Sequence, residues 1–242
     1  MLSVLRKEIN SFFSQITGYI VIVIFLILNG LFLWVIPGEY NIPDGGYSNF
    51  DGLFSIAPWI FLFLCPAITM NIIAGEKQSG TWELLLSKPL RLISIINGKF
   101  LAAWIVVIFA LIPSLILYFS VYYMAEPVGN VDTGAFVGSF LGLIFLAAVY
   151  VSIGVFSSAI SPNQIVSFLV AVIISFLLFY GFELFSSLIS SGENAFSFAN
   201  FGINAHYKSI SRGVIDFADL IYFAVITAFF IYGAWLFARK KM

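Results

Sequence analysis

Apolar and polar residues are gathered into long blocks along this chain. Six apolar runs, residues 17–36, 53–74, 100–123, 135–160, 165–188 and 217–238, contain no Lys or Arg. A helix needs about 20 apolar residues to cross a hydrocarbon core ~30 Å thick, and each run is long enough. The pattern predicts an all-α membrane protein with six transmembrane helices. Ahead of the first run, Leu2, Leu5, Ile9, Phe12, Phe13 and Ile16 recur at helical spacing, with Arg6, Lys7, Asn10 and Ser14 opposite. That spacing suits an amphipathic helix over residues 1–16 lying in the headgroup layer, either as a plain anchor or with a regulatory role. The run at 17–36 exceeds the usual signal-peptide core, and no A-x-A site follows it, so it reads as an uncleaved first span.

Composition agrees. The chain is 61% hydrophobic and 10% charged, where soluble domains carry about a quarter charged residues. The net charge of −1 gives no field for nucleic acid. Cys65 is the single cysteine and cannot form an intrachain disulfide. His206 is the single histidine, too few for a histidine metal cluster and more simply read as a hydrogen-bonded loop residue.

The charges between the runs are sorted by sign. With the N-terminus in the cytoplasm, Arg6, Lys7, Lys77, Lys88, Arg91, Lys99, Arg239, Lys240 and Lys241 lie inside, and only Lys208 and Arg212 lie outside. The first outer loop carries Glu39, Asp44 and Asp51 and the second Glu126 and Asp132, with no base in either. Positive-inside bias therefore predicts that both termini are cytoplasmic.

Between spans two and three the chain reads AGEKQSGTWELLLSKPLRLISIINGK, residues 74–99. Ser79 or Thr81 can cap a helix that Pro89 must end. In between, Trp82, Leu85 and Leu86 share a face, and Glu83 and Ser87 lie on another. Two turns are not stable alone in water, because nucleating a helix fixes several dihedrals for few hydrogen bonds. The piece must rest on its own bundle, the membrane surface or a partner.

EKQSGTWELLLSKP at 76–89, the later GK at 98–99, PAITMNIIAGEK at 66–77 and HYKSISRGVIDFADLIYF at 206–223 together resemble ABC-2 type transporter permeases. Within that family they are most similar to the gliding-motility permeases of Bacteroidetes, with the nitrous-oxide-reductase maturation permeases as a near alternative. Where many relatives carry a proline shortly before the histidine, this chain reads FGINAH. The resemblance implies one transmembrane domain over 1–242, with a cytoplasmic coupling segment at 75–98 and an extracytoplasmic segment at 190–215. It implies that a separate ABC ATPase, which binds the ATP and Mg, docks on a coupling helix. Gly80 and Thr81 would set the opening turn, and Trp82, Leu85 and Leu86 the apolar face. Glu76, Lys77, Glu83 and Lys88 would make polar contacts, and Pro89 would end the helix. The plain alternative is a surface helix that only satisfies the loop's backbone. The resemblance also implies a second membrane subunit, a copy or a different chain with a large extracytoplasmic domain, and an inner-membrane location.

The chain lacks the chemistry of an enzyme. There is no G-x-x-x-x-G-K-[ST] phosphate loop; NGKF at 97–100 lacks the earlier glycine and the following Ser or Thr. Neither G-x-S-x-G nor H-E-x-x-H occurs. The reading is a non-catalytic permease subunit with no catalytic or metal-binding residues and no cofactor of its own. The alternative is an ATPase-driven mechanotransmission module, and no substrate is legible.

Other residues have a sharper and a plainer reading. Glu183 is an acid inside span five, either functional at membrane depth or reaching outer water. Pro58, Pro66 and Pro113 can kink spans two and three. Gly138 and Gly142 form a G-x-x-x-G pair that permits close helix packing. Trp34, Trp59, Trp104, Tyr118, Tyr122, Tyr123 and Trp235 suit interface belts, or a surface for stacking sugars or lipids. The outer segment, with the apolar AFSFANFGI and then His206, Arg212 and Gly213, is expected to dip back into the outer leaflet, as the family's outer segments do.

Overall fold

The computed structural model describes residues 1–45, 50–188, 200–213 and 216–239, and all regular structure among them is helical. Six helical stretches are long and apolar enough to cross a membrane: Gly18–Val35, Asp51–Gln78, Leu92–Met124, Thr133–Ile160, Gln164–Ser187 and Phe217–Arg239. Most of the expected outer dip, residues 190–199, lies outside the described residues.

The first element, α1 (Leu2–Ser14), precedes span one, α2 (Ile16–Gly30), which a π-helical turn at Leu31–Val35 extends. A short turn, α3 (Ile42–Gly45), leads to span two, α4 (Asp51–Thr69), and then come two small helices, α5 (Ala74–Gln78) and α6 (Thr81–Leu86). Span three is α7 (Leu92–Leu111) and α8 (Leu115–Met124), joined by a 3-10 turn at Ile112–Ser114 that accommodates Pro113. It begins well before the apolar run at 100–123 and so carries Lys99 within the helix. Span four is α9 (Thr133–Ile160), and Asp132 caps it by accepting from the Ala135 amide at 2.8 Å. Span five is α10 (Gln164–Phe176), a π-helical turn at Leu177–Gly181 and α11 (Phe182–Leu188). The short helix α12 (Ile203–Ile210) and span six, α13 (Phe217–Arg239), complete the described residues.

Span four is the hub and packs against spans two, three, five and six. In the central windows of spans two and four 72% of residues are buried, against 22%, 28% and 17% in spans one, five and six. The last three therefore present large apolar faces outward. Small residues let span four approach span two. A Cβ on Gly154 would stand 1.9 Å from Thr69 Oγ1, so only glycine fits there.

Pro58 and Pro66 sit inside an unbroken α4, and the chain breaks instead at residues 70–73. Ser158 of span four bridges the break. Its Oγ accepts from the amides of Ile73 at 3.1 Å and Ala74 at 2.9 Å, and donates to Met70 O at 3.2 Å. Pro58 has a different consequence. It has no N–H for the carbonyl four residues earlier, Phe54 O. The Tyr207 hydroxyl donates to that carbonyl at 2.7 Å and so pins α12 to span two. Burial pushes the Tyr207 phenol well above its ordinary pKa and keeps it a donor.

The G-x-x-x-G pair serves α12 and the turn after it rather than another span. A Cβ on Gly138 would meet Gly213 Cα at 2.7 Å, and one on Gly142 would meet Ile210 at 3.0 Å. Ser139 Oγ closes this contact by donating to Ser211 O at 2.7 Å.

Tyr207→Phe should lower protein stability by about 1 kcal/mol, the usual net worth of such a bond. Adding Pro58→Ala returns a backbone donor to Phe54 O and should recover most of that loss. Thermal melting of the detergent-solubilised single and double variants checks both.

Candidate functional site

The segment between spans two and three is built from local chemistry. Helix α5 ends because Gly80 adopts φ +72°, a left-handed conformation that other residues enter at a cost. Helix α6 then starts at Thr81, with Gly80 in the capping position and no side-chain cap. Ser79 and Thr81 instead bond each other at 2.9 Å. Trp82 and Leu85 are buried and Leu86 is half-buried, so their shared face turns into the protein's own bundle. Gly80, Thr81, Glu83, Leu84, Ser87, Lys88 and Pro89 are exposed, with Leu84 67% accessible.

Glu76 of α5 belongs to a charged cluster. Lys99, in the third turn of α7, is fully buried. Its ammonium lies 2.9 Å from Glu8 and 2.9 Å from Glu76, and donates to Ile72 O at 2.8 Å. The ammonium thus makes hydrogen bonds to Glu8 and Ile72 O and a close ion pair with Glu76. Lys7 adds a second cation, 3.1 Å from Glu76 and 3.4 Å from Glu8. A close approach makes this possible, since a Cβ on Gly98 would stand 3.2 Å from Val4 Cβ of α1. The cluster ties α1, α5 and span three together.

Its electrostatics follow from burial and pairing. Burial works against the Lys7 charge, but the carboxylates of Glu8 and Glu76 outweigh it and hold its pKa above the ordinary lysine value. A raised folded value means that its contribution is complete below the unfolded value of about 10.4 and is lost as pH climbs through the folded one. At neutral pH this cation is fully present. Lys77 is used internally as well: its ammonium donates to Ala159 O in the last turn of span four, where helix carbonyls are unpaired and cations are favoured.

The sequence-predicted contacts therefore divide. Glu76 and Lys77 are internal struts, Trp82 and Leu85 are internal anchors, and Glu83 and Lys88 project. Pattern reading placed Lys99 in the cytoplasmic loop and assigned nothing to Glu8. The available signal was a lone lysine after Gly98 at the edge of an apolar run, with an acid in the preceding amphipathic helix.

At the opposite end of the bundle, Glu183 accepts from Asn204 at 2.6 Å and lies 3.3 Å from Lys208. Its side chain is 43% exposed. His206 Nδ1 lies 2.6 Å from Asp219 Oδ1 of span six, and its ring stacks on Tyr222 at 3.7 Å. Arg212 is exposed, and Gly213 adopts φ +83° against Ala135. Among the described residues no cluster of His, Cys, Asp and Glu could hold a metal.

The model of the ABC-2 family transporter protein matches residues 3–242, and the chain belongs to that family. It is a multi-pass membrane permease subunit of an ABC transporter, the transmembrane component rather than the ATPase. No curated protein sequence matches it significantly.

Lys99→Met should cost about 3 kcal/mol, because it leaves two largely buried carboxylates with only the exposed Lys7 as a partner. Lys99→Met with Glu8→Gln and Glu76→Gln should cost clearly less. Chemical denaturation of the purified variants measures the difference.

Proposed function

We propose that an ABC ATPase docks on the exposed edge of residues 76–89 and drives this permease by pushing α6. What supports the reading is a division of labour along seven residues, 82–88. Trp82 and Leu85 fasten α6 to the bundle, while Glu83, Leu84 and Lys88 protrude. The carrying observation is the Lys99 cluster. Through Glu76 and Glu8 it joins the segment to span three and α1, so displacement of α6 must also move or strain both. A loop that merely reversed the chain would need no such linkage.

In the full assembly this subunit pairs with a second membrane subunit, either a copy or a different chain with a large extracytoplasmic domain. Two copies of the ATPase bind the ATP and Mg. The nine inside bases support cytoplasmic termini and an inner-membrane location. Resemblance to the gliding-motility permeases supports an export-type role in gliding or its surface machinery. A second reading is mechanotransmission without cargo, or a nitrous-oxide-reductase-maturation type of permease. The apolar middle of the seam between spans one, two and five favours it, since residues such as Ile24, Leu28, Ile60 and Phe63 offer no path for a hydrophilic solute.

The test is affinity purification of the tagged chain from native membranes. Wild type should retain an ABC ATPase. Leu84→Asp with Lys88→Glu, both on exposed positions, should lose it while the permease still melts as wild type does. Retention of the ATPase by that variant would remove the docking edge from the proposal. In a gliding host, the same variant should abolish spreading.

A further inference from the structure

Two recesses adjoin along the seam between spans one, two and five. The first, of about 470 Å³, lies between α1 and the break after span two and reaches the Lys99 cluster at Lys7, Glu8 and Glu76. The second, of about 230 Å³, is lined only by apolar side chains. Val21 of span one and Ala67 of span two line both. Helical spacing keeps the two recesses on the same helix faces. On span two, Ile60, Phe63, Leu64 and Ala67 line the apolar recess, and Ile68 carries the stripe into the polar one. On span five, Phe168 lines the apolar recess and Gln164, one turn earlier, the polar one. A separate chamber around Trp59, Glu183 and Arg212 shares no lining residue with either.

The seam has the polarity of one membrane leaflet. Its polar end lies beside the amphipathic α1, and its apolar end follows span one from Val21 through Ile24 to Leu28. Those turns cover ~10 Å at about 1.5 Å per residue, a large part of one leaflet of a ~30 Å core. The polar end also has unused hydrogen-bonding capacity. Glu76 spends Oε1 on Lys7 and Lys99, while its Oε2 is buried with no hydrogen-bond partner. A buried acceptor left in that state is costly. Lys7 makes two carboxylate contacts, at 3.1 and 3.4 Å, and its side chain stays 58% exposed, so an ammonium with three protons keeps capacity for another acceptor.

We propose that this seam holds a resident membrane lipid with a primary-amine headgroup, of the phosphatidylethanolamine type. The formal charges of Lys7, Lys99, Glu8 and Glu76 cancel, which favours a headgroup carrying both signs over a net anion. The lipid ammonium donates to Glu76 Oε2, a charge-assisted bond that satisfies the orphaned oxygen. The lipid phosphate meets the Lys7 ammonium. One acyl chain passes between Val21 and Ala67 into the apolar recess. The lipid thereby bridges α1 to spans one, two and five. It needs neither the ATPase nor a second subunit, so this site and the docking edge on α6 can fail separately.

The test is native mass spectrometry of the full chain released from detergent after titration with phosphatidylethanolamine, phosphatidylcholine or phosphatidylglycerol. Wild type should retain one phosphatidylethanolamine per chain. Phosphatidylcholine has the same charges but no N–H to give Glu76, so it should need about tenfold more lipid for half-saturation, the scale of one hydrogen bond to a charged group. Phosphatidylglycerol should also need clearly more. Ala67→Phe puts a ring where the recesses join and should abolish the adduct. Ile24→Trp narrows the apolar recess from a position already 48% exposed, so it keeps the test sound if Ala67→Phe fails to fold, and it should weaken the adduct. Val225→Phe, on an exposed position of span six outside the seam, should change nothing. Equal retention of the three lipids, or an adduct indifferent to both seam variants, would mean ordinary surrounding lipid and overturn the site. A two-chain species that forms only as lipid leaves, and that Ile24→Trp disrupts, would give the seam to a second copy of the chain and overturn it as well.

Discussion

A fully buried lysine ammonium is the constraint on which the end of the bundle that carries α1, α5 and the start of span three depends. An unpaired charge cannot remain there, because its desolvation cost is large. Lys99 therefore requires Glu8 from α1, Glu76 from α5 and the Ile72 carbonyl at the break after span two. Each partner comes from a different part of the chain. The amphipathic helix is thereby fastened to the start of span three. The break in span two is held open at a carbonyl that would otherwise lie inside a helix. The small helix α6 inherits a rigid base.

The rest of the bundle follows a similar logic of freed backbone groups met by side chains from elsewhere. Ser158 of span four covers the amides released after Thr69. Lys77 reaches the last carbonyls of span four. Tyr207 answers the carbonyl that Pro58 leaves without a donor. In a membrane such groups find no water partner, so each becomes a point where two elements must meet. Glycines at 138, 142 and 154 allow those meetings by removing the Cβ that would block them.

These features fit a permease worked from one end. The end at Lys99 is cross-linked by charge, and the opposite end holds a cavity with aromatic and ionic walls. An apolar slot lies between them. A mechanical input at α6 would reach spans two and three first, since these carry the cluster. The lightly buried spans one, five and six leave broad apolar faces for lipid or a second membrane subunit.

Much of the architecture was legible in the residues themselves. Six apolar runs free of Lys and Arg fix the span count, because a helix of that length is what satisfies its backbone in hydrocarbon. Pro89 and the Trp82, Leu85 and Leu86 face marked a short structured piece between spans two and three. Which way that face turns was not legible, since helical periodicity defines a face but not its neighbour. Lys99 illustrates the limit further. In sequence it is one cation beside an apolar run, and its acidic partners stand 91 and 23 positions away. Only packing, with Gly98 against Val4, brings them within 2.9 Å. The sequence alone determined a six-span bundle with most of its basic residues gathered at one end, because hydropathy and charge are properties of each residue. The buried lysine cluster, the proline carbonyl held by Tyr207 and the chamber around Trp59 were decided by tertiary structure, because each depends on distances between segments far apart in the chain.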